Sequence, residues 1–172
     1  MTDYSFVLNF TLANQEDDPE TYLDALYEAG CDDASVGVGR AGMIGLDFTR
    51  AAASAEDALR SAIENVRKAI PGAVLVQAGP DLVGITDMAE ILGFSRQNMR
   101  KYAVGQSSAP EAFPPPAIIG DPSLWHLAEI ASWLKLNTAI LPPPAVFEVA
   151  KVTARINFEV ESERQKRIVE LA

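Results

Sequence analysis

The chain has 172 residues, 24 acidic and 14 basic, for a formal net charge of −10, and its apolar share of 48% excludes a disordered polymer while its length suits one large domain or two small ones. The acidic balance excludes non-specific binding to nucleic acid or anionic membrane as a property of the whole chain. The single Cys31 excludes an internal disulfide and a cysteine zinc site, and no stretch approaches the ~18 continuous apolar residues of a membrane span.

From Tyr4 to Leu12, "YSFVLNFTL" places Phe6, Leu8 and Phe10 on one face, the alternation of a strand. An acidic loop, "ANQEDDPE", follows; it reads as solvated rather than as a cation site. Pro19 suits a first helical turn, and Tyr22, Leu23, Leu26 and Tyr27 recur at helical spacing up to a stop at Gly30. "ASVGVG" and "MIGLDFT" read as two strands joined around Gly39-Arg40-Ala41-Gly42. Ser54 is an N-cap for the helix carrying Ala58, Leu59, Ala62, Ile63, Val66 and Ile70, and "AVLVQAG" is a fourth strand. The order β-α-β-β-α-β predicts an acidic, ferredoxin-like α/β sandwich over residues 1–80.

After Gly79-Pro80 the pattern changes. Thr86 is an expected N-cap, Met88, Ala89, Ile91 and Leu92 form the buried side of a short helix, and Gly93 makes a turn. Ser95 caps "RQNMRKYAV", whose Met99 and Tyr102 face the core with Phe94, leaving Arg96, Gln97 and Arg100 outward. The proline-rich segment up to Trp125 suggests a β-ribbon, and "HLAEIASWLKLN" a helix burying Leu127, Ile130, Trp133 and Leu134. Beyond "LPPP", residues 145–171 lack Pro and Gly and form a long helix with Val149, Val152, Ile156 and Val160 in one stripe.

Three segments thus emerge: 1–80, 81–137 and 138–172. The acidity is unevenly spread: 13 acidic against 5 basic side chains in the first, 6 against 4 in the second and 5 of each in the third. "LVGITDMAEILGFSRQNMRKY", the proline-containing segment after it and "LWHLAEIASWL" together resemble the winged helix-turn-helix of the MerR and excisionase-like group of bacterial and phage DNA-binding proteins. The likeness covers residues 82–137, about a third of the chain. It implies that the second helix enters the major groove and that the wing touches backbone or minor groove. Here the wing "PAIIGDPSLW" departs from the pattern in having no Arg or Lys.

The residues support the same chemistry without the family. Ser95, Arg96, Gln97, Asn98, Arg100 and Lys101 are the candidate DNA-binding set. Arg96 and Gln97, in the first helical turn, suit guanine and adenine edges, and Asn98 suits adenine. Arg100 and Lys101, one turn on, suit phosphate and fix register. The alternative is an interaction helix with a solvated basic face, making the chain a protein-interaction adaptor whose winged domain no longer binds DNA.

Without a basic wing, useful affinity calls for a homodimer on two half-sites, and the helix of 138–172 is the expected dimer element unless its stripe packs on its own domain. The reading is a double-stranded-DNA-binding transcription regulator of repressor or antitoxin type. Its N-terminal domain takes a basic protein or a small ligand. No catalytic residue, metal site or cofactor is expected: His126 is the single histidine, and "GVGRAGMIG" precedes a strand instead of opening a helix. The N-terminal "MTDYSFVLNF" has no basic region before its apolar run, so a cytoplasmic protein is expected.

Overall fold

The computed structural model describes residues 1–171, a mixed α+β chain of six α-helices, a four-stranded antiparallel sheet and a two-stranded pair. It falls into two units, one made of Met1–Gly79 with the chain from Arg155 onward, the other of Pro80–Ala154.

In the first unit β1 (Thr2–Thr11) alternates as its sequence requires, with Tyr4, Phe6, Leu8 and Phe10 buried and Ser5 in solvent. A 3-10 turn (Pro19–Tyr22), capped by Asp18, leads into α1 (Leu23–Glu28), which buries Leu26. Then come β2 (Ala34–Gly37), β3 (Met43–Ala52), α2 (Ala55–Ala69) and β4 (Val74–Gly79). The sheet order is β2-β3-β1-β4, every neighbour antiparallel.

Register sets Phe6 opposite Phe48, Leu8 opposite Leu46 and Phe10 opposite Ile44, so one face is continuous hydrocarbon, and the Phe6 and Phe48 rings stack at 5.2 Å. Onto that face α2 lays Leu59, Ala62, Ile63 and Val66, all buried. Ser5, Asp47 and Thr49 stand in solvent on the other face. Each fully buried Phe or Leu contributes about 1.5–3 kcal/mol relative to exposure.

Two polar devices hold this unit's loops. The Arg50 side chain is 9% exposed and donates from Nε and Nη2 to the Asp33 carboxylate (2.7 and 2.9 Å), from Nη2 to the Gly30 carbonyl (2.7 Å) and from Nη1 to Ser61 Oγ (3.1 Å). Its guanidinium lies 5.0 Å from the Phe48 ring centre. The second device is on the open edge of β4. Asn157 accepts from the Ala78 N–H and donates to the Ala78 carbonyl, both at 2.8 Å, pairing one residue of an edge strand as a neighbouring strand would.

The second unit holds β5 (Leu82–Val83), α3 (Ile85–Leu92), α4 (Arg96–Ala103), β6 (Trp125–His126) and α5 (Leu127–Asn137). Val83, Met88, Leu92, Met99, Trp125, Leu127, Ile130 and Leu134 make its core. The two-residue strands β5 and β6, invisible to a periodicity argument, pair Leu82 with His126 and Val83 with Trp125. The N-cap of α3 is Gly84, not Thr86; Thr86 lies inside the helix, exposed. No β-ribbon forms between 105 and 124. A single bridge, Ile118 to Leu124, closes a short loop, and Pro114, Pro115 and Pro116 before it lack the N–H donors a longer ladder would need.

Helix α6 (Pro144–Glu170) is divided at Ala154 between the units. Val149, Val152 and Ile156 are buried and Val160 half-buried, so the stripe expected for dimerisation is largely used within the chain. In the second unit Thr153 Oγ1 donates to the Pro80 carbonyl at 2.6 Å. In the first, Arg60 forks onto Glu159 and Arg155 pairs with Glu56.

Candidate nucleic-acid interface

The turn between α3 and α4 is set by backbone chemistry. Gly93 is left-handed at φ +74°, and the Phe94 N–H closes on the Ala89 carbonyl at 2.8 Å, so α3 stops within one residue. Ser95 is extended (φ −73°, ψ 141°), and its Oγ accepts from the Asn98 N–H at 3.2 Å, starting α4. Met99 is fully buried and Tyr102 half-buried. Tyr102 stacks on Phe113 at 6.5 Å and meets Trp133 edge-on at 5.3 Å. These anchors fix the rotation of α4 about its axis.

With that rotation Arg96, Gln97, Asn98, Arg100 and Lys101 are all exposed, and none of these side chains has a hydrogen bond or ion pair among the described residues. At 100° per residue Gln97 and Lys101 point furthest from Met99, Arg96 and Arg100 share one flank, and Asn98 takes the other. Asn98 and Lys101 border a polar cleft of about 420 Å³ with Tyr102, Gln106, Asn137 and Thr138. Sequence reading missed Gln106, Asn137 and Thr138 because they come from the loop after α4 and from the end of α5, with no spacing to link them to Lys101. The first turn of α4 carries no acid, so three cations gather on one short helix in an acidic chain.

The loop that follows is tight. The Ala117 and Ile118 N–H groups donate to the Leu124 carbonyl (2.8 and 3.1 Å), and the Leu124 N–H donates back to the Ile118 carbonyl (2.9 Å). Ser123 Oγ accepts from the Gly120 N–H and donates to its carbonyl, and the Trp125 indole donates to the Pro114 carbonyl at 3.0 Å. The loop leaves Ile118 and Ile119 46% and 88% exposed. No family model, curated protein or solved structure matches this chain.

His126 lies outside α4. Its Nδ1 meets Asp81 Oδ1 at 2.7 Å, the carboxylate almost wholly buried and the imidazole 42% exposed, while the Asp81 carbonyl accepts from the Leu127 N–H. This pair latches the start of the second unit to the start of α5. His126 occupies the N-cap position of α5, but its side chain accepts no capping hydrogen bond. No three His, Cys, Asp or Glu side chains gather to hold a metal ion among the described residues, and no helix there is long and apolar enough to cross a membrane.

Proposed function

We propose that the chain is a sequence-specific double-stranded-DNA-binding protein, a dimeric transcription regulator of repressor or antitoxin type, with α4 laid in the major groove. The observation that carries this reading is the row of unpaired, exposed Arg96, Gln97, Arg100 and Lys101 on a helix whose rotation is fixed by Met99 and Tyr102. Unpaired donors need break no internal hydrogen bond before meeting base edges and phosphates.

In this reading Arg96 and Gln97 read bases, Arg100 and Lys101 hold phosphates, and Ser95 keeps the first turn in place. Asn98 sits beside Lys101 on the cleft side, better aimed at backbone than at adenine. Residues 82–137 are then a winged helix-turn-helix of the MerR and excisionase kind, with 116–125 as its wing. The first unit is a ferredoxin-like sandwich; its strand order and antiparallel neighbours fit that arrangement. No catalysis or cofactor enters the reading.

A wing without Arg or Lys leaves one unit few phosphate contacts, so two half-sites are required. The self-association surface we favour is the outer row of α6, where Phe158 and Val169, each 73% exposed, flank Ser162 and Gln165 at alternating spacings of four and three. One observation favours a different role. Exposed Ile118 and Ile119 on a loop without Arg or Lys also suit a protein-interaction adaptor.

Alanine variants separate base reading from phosphate holding. Arg96→Ala or Gln97→Ala is expected to cost about 1–3 kcal/mol of binding and relax preference at one position. Lys101→Ala is expected to weaken all sequences alike and reduce the salt slope by about one. Equal losses on every sequence from all three would remove the base-reading role.

A further inference from the structure

We infer that the first unit holds a binding site for a small amphipathic anion, a monocarboxylate with an aliphatic body, in the cleft between α2, β4 and the later turns of α6. This does not depend on the DNA reading. The cleft is about 340 Å³, near the lower end of the ~300–1,000 Å³ that ligand pockets span. Its floor is hydrocarbon: Ile63, Leu75 and Ile156 are buried and Val160 is half-buried.

Its rim is cationic. Arg60, Arg67 and Arg167 line it against Glu159 and Glu163, leaving one positive charge. That local sign is the reverse of its surroundings, since the unit has 13 acidic and 5 basic side chains up to Gly79 and 4 of each from Arg155 onward.

The three arginines are not equivalent. Arg60 has spent its fork, donating to both Glu159 oxygens (3.0 and 2.8 Å) and from Nε to Glu56. Glu163 is held by Lys166 Nζ at 2.6 Å. Arg67 and Arg167 have no hydrogen bond or close ion pair among the described residues, and Arg167 acts on Glu163 only through space, so two guanidinium forks with unused donors border one apolar floor.

A planar fork matches a carboxylate with two parallel hydrogen bonds. A phosphate dianion would meet Glu159 and Glu163 with only one net charge to offset them, and an ammonium would meet the free arginines. The hydrocarbon floor asks for an apolar body, which acetate lacks.

The test is a titration of the full chain with octanoate, followed by methyl NMR. Saturable shifts at the methyl groups of Ile63, Leu75, Ile156 and Val160 are expected at millimolar concentration or below, and none with octylamine or acetate. The double variant Arg67→Gln, Arg167→Gln should lose affinity by about tenfold or more while its thermal unfolding stays unchanged. Absence of saturation, shifts confined to other methyl groups, or undiminished binding by the double variant would each overturn the site.

Discussion

Arg50 shows how a single residue organises an acidic unit. Its guanidinium makes four hydrogen bonds, two of them to Asp33, which lies 17 positions earlier in the chain. The bond to Asp33 leads the causes that raise its pKa, although burial opposes it, and it is charged at every relevant pH. Burial pushes the neighbouring Cys31 thiol up, more than Arg50 pulls it down. Replacing Arg50 by Met would strand a carboxylate whose side chain is 29% exposed, while the Gly30 carbonyl would keep its bond from Asn65 Nδ2 at 3.1 Å. Because solvent partly reaches Asp33, the expected loss is about 2–3 kcal/mol, below the ~3–5 of a fully buried pair. Urea unfolding of Arg50→Met measures it; a loss no larger than that of an exposed arginine would mean the 30–33 loop holds itself.

At the scale of elements, two left-handed glycines separate conformational strain from collision. Gly93 ends α3 at φ +74° with open space where a Cβ would stand, so Gly93→Ala should cost only backbone strain, about 1–2 kcal/mol. Gly42, at φ +73°, would place its Cβ 2.6 Å from the Gln15 carbonyl oxygen and 2.7 Å from its Cα. Gly42→Ala should therefore destabilise distinctly more, and comparable thermal unfolding of the two variants would contradict that ranking.

Much of this level could be read from the chain. The alternation of Phe6, Leu8 and Phe10 and the caps Ser54 and Ser95 are local signals, and the structure has the corresponding strand and helix starts. What could not be read was non-local or too short to have a period. Arg50–Asp33, Asp81–His126 and Asn157–Ala78 join positions 17, 45 and 79 residues apart. Strands β5 and β6 have two residues each. In the candidate interface the five α4 side chains were legible from helical spacing, whereas the cleft beside Lys101 depends on loop and α5 residues that only the fold brings near it.

For the whole molecule, charge divides by unit. Pro80–Ala154 carries 7 acidic and 5 basic side chains, so net charge there is −2 against −8 for the remainder. A protein of net −10 can thus be a DNA reader if phosphate meets α4 and not the acidic sheet unit, at an affinity that needs two copies and falls steeply with salt. The deciding measurement is selection of the purified protein on a randomised duplex library at near-physiological salt, followed by sequencing. An enriched palindromic site with half-sites about one helical turn apart, ~34–36 Å, is expected. Folded protein that enriches no sequence would contradict the DNA reading and leave exposed Ile118 and Ile119, on a loop without Arg or Lys, to be explained by a protein partner.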